Sequence, residues 1–138
     1  MSLPQPREAR LYYRAGKQRF EDSQFLLAQG RTTGAVYLAG YTVECLLKAL
    51  VLASVALAVR QRLLGEFHGS RAHSIEWLGA LYRRYVGMAV PRDITRHLSR
   101  VASWTTDLRY ATGLVKSREA DEFMESVVAV ATWADGRM

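Results

Sequence analysis

The stretch "GAVYLAGYTVECLLKALVLAS", residues 34–54, decides the fold. It is apolar almost all the way around, yet four polar side chains recur along it at intervals of four, three and four residues: Tyr37, Tyr41, Glu44 and Lys48. These intervals place the four on one face of an α-helix, which we call the polar stripe. A helix that is apolar on its other sides is typical of the centre of a bundle. The sequence therefore predicts a central helix with one polar edge.

The other helices follow from the same periodicity. Apolar positions at a period of 3.6, separated by Gly, Pro, Ser or Thr, predict helices over residues 7–29, 33–59, 73–85, 91–113 and 117–136. No stretch shows sustained two-residue alternation, and short connections favour antiparallel neighbours. We expect one all-α domain over residues 1–138, an up-and-down antiparallel bundle of four long helices plus one short helix.

Particular residues carry local expectations within these helices. Gly16 lies on the inward face of the first helix, where it would let another helix approach closely. Thr32 or Thr33 is expected to cap the second helix. The inward faces of the last two helices are predicted to be Ile94, Leu98, Val101, Trp104 and Leu108, then Ala120, Phe123, Val127, Val130 and Ala134.

Composition favours a protein of the reducing cytoplasm. The single cysteine, Cys45, leaves no partner for an internal disulfide, and the short polar start of the chain does not resemble a signal peptide. A membrane span over residues 35–59 is not expected, because Glu44 and Lys48 would each cost about 3 kcal/mol in lipid. The uninterrupted apolar run of residues 49–59 is too short to cross a bilayer.

Two interpretations of the polar stripe remain open. Glu44 and Lys48 stand in the favourable order for an i,i+4 pair, either solvated or inside the bundle. Alternatively the stripe lines a polar cleft or a dimer seam, with the hydroxyls of Tyr37 and Tyr41 facing a ligand. If the charged pair is buried, a second polar group must face it, because an unpartnered buried charge is costly.

A second polar pattern consists of arginines. The chain carries a net charge of +6, with 16 Arg and 3 Lys, a balance that suits an acidic partner such as nucleic acid. Arg92, Arg96 and Arg100 recur every four residues, with His97 beside them, and such a face could contact successive phosphates. The alternative is a solvated helix face without a ligand.

Motifs for metals and cofactors are missing from the sequence. The three histidines and one cysteine form no C-x-x-C, H-x-x-x-H or Glu-x-x-His pattern, and His73 with Glu76 lacks further ligands. No Walker loop, G-x-G-x-x-G or G-x-S-x-G string occurs. We expect neither a metal nor a cofactor.

Three segments together resemble the HEPN domain, a small helical domain of prokaryotes. They are "GRTTGAVYLAGYTVECLLKALV", "HSIEWL" and "WTTDLRYATG…SREADEFMESVVAVATW", which are similar to that family's central helix, its entry to the third helix, and its "R-Y" turn with the last helix. The resemblance covers nearly the whole chain in order. It implies a dimeric bundle, often encoded beside a minimal nucleotidyltransferase as a toxin–antitoxin pair.

The resemblance also implies an activity for some members, which are metal-independent ribonucleases with an R-x4–6-H motif. In that chemistry the histidine moves protons and the arginine stabilises the charged phosphate. Arg92 with His97 and Arg62 with His68 match the string, although a chain this rich in arginine yields about one match by chance.

Three hypotheses of function follow. The first is a component that binds a nucleotide, an RNA or a nucleotidyltransferase partner through a cleft at Tyr37, Tyr41, Glu44, Lys48, Arg109 and Tyr110. The second is a ribonuclease that uses Arg92 and His97. The third is a helical module whose role is oligomeric assembly. Arg109 also has a plain structural interpretation, because an arginine near a helix end can bind the last carbonyls.

Overall fold

The computed structural model describes residues 3–138, and these form six α-helices and two 3-10 helices without any strand. The prediction of an all-α fold is therefore confirmed. The α-helices are α1 (Arg7–Ala28), α2 (Thr32–Ala53), α3 (Leu57–Glu66), α4 (Ile75–Val86), α5 (Arg92–Val101) and α6 (Ser117–Asp135), and the 3-10 helices are Ser70–His73 and Thr106–Tyr110. Three helices are long and three are short, instead of the four long and one short expected.

The central position of α2 follows from its composition. Its apolar residues extend around the helix, and α1, α4 and α6 pack on it. By length and apolar composition α2 could cross a membrane, but 83% of its most apolar 18-residue window is buried inside the protein. A core helix shows this pattern, because neighbouring helices supply its apolar surroundings.

The close contact between α1 and α2 depends on Gly16. A methyl group added there would lie 3.1 Å from Cβ of Cys45 and 3.3 Å from the carbonyl oxygen of Thr42. The expectation of a close helix approach at Gly16 is therefore confirmed. Residues 29–31 make a tight turn between these helices, with Gly30 at a φ of 75°, a conformation that glycine adopts without steric cost.

The second predicted helix, 33–59, is interrupted where the sequence shows no glycine or proline. Ser54 Oγ donates to the carbonyl oxygen of Leu50 at 2.7 Å, and Arg60 donates to the carbonyl oxygens of Leu52 and Val55 at 3.2 and 3.3 Å. The carbonyls of Leu50 and Leu52 lie in the last turn of α2, and a continuing helix would bind them through its own amides. The chain then starts α3 at Leu57.

The third predicted helix also begins later than expected. Ser74 Oγ accepts a hydrogen bond of 3.1 Å from the amide of Trp77 and caps α4. His73 therefore lies before the cap, on a 3-10 helix, and it does not share a helical face with Glu76.

The fourth predicted helix, 91–113, ends at Val101. Trp104 leaves the helix and donates from Nε1 to the carbonyl oxygen of Tyr37 on α2 at 3.2 Å. Thr105 Oγ1 accepts from the amide of Asp107 and begins the 3-10 helix Thr106–Tyr110. The inward positions Ile94, Leu98, Val101 and Trp104 are buried as predicted, and so is the whole predicted face of α6. Leu108, also predicted to point inward, is only half-buried because it lies on the 3-10 helix.

Trp104 is accommodated by a gap on α2 at Gly40. A methyl group at Gly40 would lie 2.0 Å from Cε2 of the indole. Because the indole is rigid and 4% exposed, it cannot move aside without disturbing the packing. Gly40 thereby positions the segment that continues into the second 3-10 helix.

We predict that Gly40→Ala destabilises the protein by about 2 kcal/mol, through overpacking against Trp104. Gly65→Ala is the matched control, because nothing lies within 4 Å of its added methyl group. It should stabilise α3 by roughly 0.5–1 kcal/mol, the propensity difference between glycine and alanine. Urea unfolding followed by circular dichroism measures both changes. Equal stability of the two variants would contradict the packing of Trp104 on Gly40.

Candidate functional site

The second half of the polar stripe, Glu44 and Lys48, forms an ion pair inside the bundle. Glu44 Oε2 accepts from Lys48 Nζ at 2.9 Å, and each residue is only 4% exposed. Glu44 Oε1 lies 2.9 Å from Nδ1 of His73. The polar group that a buried pair requires is therefore His73, which reaches Glu44 from the first 3-10 helix.

Aromatic rings enclose Lys48. Its Nζ lies 5.3 Å from the ring centroid of Tyr12 on α1 and 5.3 Å from that of Phe67, which follows α3. The two rings meet edge to face at 6.0 Å. Ring faces carry negative potential and attract a desolvated ammonium. The structure thus places Lys48 and Glu44 in the interior rather than on an open cleft.

His73 is the residue that sequence reasoning did not connect to the stripe. Its side chain is 42% exposed, and its ring stacks edge to face on Tyr41 at 6.1 Å. The signal in the sequence was the "HSIEWL" segment, whose serine caps α4 and leaves the histidine before the helix. The contact joins residues 29 positions apart, which periodicity does not reveal.

The first half of the stripe remains half-buried. The hydroxyls of Tyr37 and Tyr41 lie 3.3 Å apart, and Tyr41 packs edge to face on Trp104 at 5.0 Å. Burial raises the pKa of Tyr41, and its hydrogen bond with Tyr37 raises it further. The phenol of Tyr41 therefore stays neutral at physiological pH and offers a hydroxyl group only.

Two threonines at the start of α2 bind the loop of residues 113–115. Thr32 Oγ1 donates to the carbonyl oxygen of Val115 at 2.5 Å, and Thr33 Oγ1 donates to that of Gly113 at 2.6 Å. Thr33 Oγ1 also accepts from the amide of Val115 at 3.0 Å. Neither threonine caps α2, contrary to the expectation, because both hydroxyls bind residues 113–115.

Between this loop and α2 lies a groove of about 490 Å³, which we call the arginine groove. Its polar side chains include Arg31, Tyr37 and Arg109, and leucines supply apolar surface: Leu26, Leu108 and Leu114. No aspartate or glutamate lines it among the residues that the structure describes. Within the same range, neither arginine forms an ion pair with a carboxylate. Two cationic donors therefore face one open space.

The other predicted cleft residues divide between this groove and its surroundings. Arg109 lies over the ring of Tyr110 at 4.9 Å, and Tyr110 is exposed. Tyr41 lies further along α2 and does not line the groove. Arg31, which the sequence analysis did not single out, joins the site because the tight turn after α1 places it at the start of α2.

The arginines of α5 fall into two groups. Arg96, His97 and Arg100 line a cavity of about 220 Å³ together with Asp93. Arg92 is not among the residues that line it, and five helical positions place Arg92 roughly 140° from His97 around the helix axis. In this cavity His97 lies with Arg96 and Arg100, and the pairing of Arg92 with His97 stays a prediction.

The other Arg–His string is divided by the end of α3. Arg62 donates to the hydroxyl of Tyr85 at 3.2 Å, and His68 lies beyond Glu66, where the helix ends. Across residues 3–138, no group of three or more His, Cys, Asp or Glu side chains is placed to hold a metal ion.

Comparison with known proteins supports the architecture. The structure is similar to the crystal structure of TT1696 from Thermus thermophilus, with a TM-score of 0.71, 20% identity, and coverage of 96% of this chain and 100% of that one. At this identity the likeness shows a shared fold alone. No family model matches the sequence, and no curated protein matches it.

We predict that Glu44→Gln lowers the free energy of unfolding by about 3 kcal/mol, because it leaves Lys48 charged and enclosed. Lys48→Met should cost less, since His73 still faces the carboxylate and methionine fills the aromatic surroundings. Glu122→Gln is the control, because its pair with Arg118 is exposed and should contribute under about 0.5 kcal/mol. Urea unfolding of the three variants checks the order. A Glu44→Gln cost as small as that of Glu122→Gln would contradict burial of the pair.

Cys45 gives an independent probe of the same region. Burial raises the pKa of its thiol to about 11, and the Glu44 carboxylate contributes in the same direction. Because the thiolate is the reactive form, we predict no reaction of the folded protein with Ellman's reagent at about pH 8. One equivalent should react after unfolding in urea. Rapid labelling of the native protein would show that this face of α2 is open.

Proposed function

We propose that the protein is a HEPN-type binding component of a nucleotide- or RNA-related process in the cytoplasm. The observation that carries the proposal is the arginine groove. It combines two guanidinium groups with a phenolic hydroxyl and apolar surface, and its described lining contains no carboxylate. Phosphates bind arginine through paired hydrogen bonds, and the leucines offer apolar contact to the rest of a ligand.

The chemistry of the groove favours binding over turnover. Its lining contains no histidine, carboxylate or cysteine in the described chain, and these are the groups that most often move protons or attack substrates. The ribonuclease hypothesis rests instead on Arg92 and His97, of which only His97 lines the cavity on α5. The groove is therefore the better-supported site.

A partner surface beside the groove fits a dimer or a complex with a nucleotidyltransferase. Tyr110 and Leu114 are 72% and 67% exposed, and Phe25, next to the groove residue Leu26, is 66% exposed. Exposed apolar side chains grouped around a cleft are typical of contact surfaces. The sequence resemblance adds the expected occupants, a second copy of the chain and a minimal nucleotidyltransferase.

Binding through the groove is tested with a fluorescein-labelled RNA decamer of mixed sequence and with ATP, both in EDTA. Arg109→Ala should weaken binding about tenfold, the loss expected for one charge-assisted contact. Arg14→Ala removes the same charge from an exposed position on α1 and should change affinity less than about twofold. Fluorescence anisotropy follows the RNA and calorimetry follows ATP.

Two results would contradict this proposal. The first is binding that is equally weakened in Arg109→Ala and Arg14→Ala, which would reflect net charge alone. The second is cleavage of the RNA in EDTA that disappears in His97→Ala, which would favour the ribonuclease hypothesis.

A further inference from the structure

A second cationic site lies on α5, apart from the arginine groove. This cavity of about 220 Å³, which we call the α5 pocket, is lined by Asp93, Arg96, His97 and Arg100, and it shares no lining residue with the groove. It contains two guanidiniums and one imidazole against a single carboxylate. The balance of charge in the pocket is therefore positive.

A buried serine on α6 holds two of these side chains. Ser126 is fully buried, and its Oγ lies 2.9 Å from Nδ1 of His97. Arg100 Nη1 donates to the same oxygen at 3.4 Å and to the carbonyl oxygen of Glu122 at 3.5 Å. Since Nδ1 is engaged by Ser126, Nε2 is the ring nitrogen left for a ligand. A second polar group that fixes a histidine ring is a recurring feature of functional histidines.

The guanidiniums of Arg96 and Arg100 stand one helical turn apart. Side chains at this spacing are neighbours on a helix surface, roughly 6 Å apart at Cβ. Two guanidiniums and an imidazole N–H can each donate to a separate oxygen of one tetrahedral anion. Asp93 also lines the pocket, so its carboxylate is the group that a bound anion must compete with.

Size decides which part of a ligand fits. The pocket is smaller than the roughly 300–1,000 Å³ typical of sites for whole organic ligands, so it suits one charged group. We propose that Arg96, His97 and Arg100 bind a single phosphoryl group, with Ser126 as the positioning residue. This site is independent of the proposed function, because the groove can bind its ligand without it.

The assignment differs from the arginine stripe that the sequence indicates. The stripe included Arg92 and treated the three arginines as one face. Arg92 does not line the pocket, whereas Ser126, 26 residues away from Arg100, forms hydrogen bonds with two of the lining side chains. A phosphoryl site would therefore depend on Arg96 and Arg100, and much less on Arg92.

The test follows the Hε1 and Cε1 signals of His97 by NMR while inorganic phosphate is added at fixed pH. A parallel titration uses dimethyl phosphate, and potassium chloride at matched ionic strength is the control. We expect saturable shifts with phosphate that chloride does not reproduce. Saturation with dimethyl phosphate as well would identify a phosphodiester source, and saturation with phosphate alone a phosphomonoester source.

Single substitutions then show which side chains of the α5 pocket contact the phosphate. Arg96→Ala and Arg100→Ala should each raise the phosphate Kd at least about fivefold, the loss expected for a charge-assisted hydrogen bond, and Arg14→Ala should leave it within about twofold. Ser126→Ala should raise Kd and also reduce the change in the ¹⁵N shift of His97 Nε2 that phosphate produces, which a loss of stability alone would not alter. Circular dichroism confirms that each variant is folded.

The proposal is overturned if the His97 signals respond to phosphate only as they respond to chloride. It is also overturned if both arginine variants keep the wild-type Kd. Arg109-dependent binding of ATP or RNA without a phosphate response at His97 would contradict the phosphoryl site in the α5 pocket and would support the arginine groove. A phosphate response at His97 without Arg109-dependent binding would contradict the arginine groove alone.

Discussion

The buried carboxylate of Glu44 is the interaction on which the rest of the structure depends. It joins Lys48 on the same helix to His73 on a separate segment, so it fixes the connection before α4 against α2. A charge in the interior is tolerated only with partners, and the ammonium of Lys48 is further enclosed by Tyr12 and Phe67. These contacts set where α1 and the end of α3 must lie.

Glu44 and Lys48 lie in the second half of α2, and the candidate binding residues lie near its N-terminus. Gly40 admits Trp104, and Trp104 binds the carbonyl oxygen of Tyr37. The chain after Trp104 carries Arg109, while Thr32 and Thr33 hold the loop that follows. A rigid helix thereby positions side chains on irregular segments, an arrangement in which binding sites commonly occur. The polar stripe therefore serves two purposes, an internal ion pair at one end and a groove at the other.

Much of the fold could be predicted because the 3.6-residue spacing of apolar residues indicates which face of each helix is buried. Residues 34–54 were predicted to be an enclosed helix, and the inward faces of α5 and α6 were predicted residue by residue. The helix breaks at 54–56 and 102–105 could not be predicted from periodicity, because they coincide with side-chain contacts that periodicity does not reveal. Arg60 binds the carbonyl oxygen of Leu52, and Trp104 binds that of Tyr37. For the site, Tyr37 and Arg109 were predicted, whereas Arg31, His73 and Ser126 join through packing between segments distant in sequence.

Amide hydrogen exchange of α2, followed by NMR, tests the enclosure of this helix most directly. Amides of residues 43–52 should exchange only through global unfolding, so their exchange free energies should equal the free energy of unfolding measured with urea. Amides of residues 106–114, in the exposed segment over the groove, should exchange orders of magnitude faster. Exchange of residues 43–52 at the rates of residues 106–114 would contradict a central helix closed around Glu44 and Lys48.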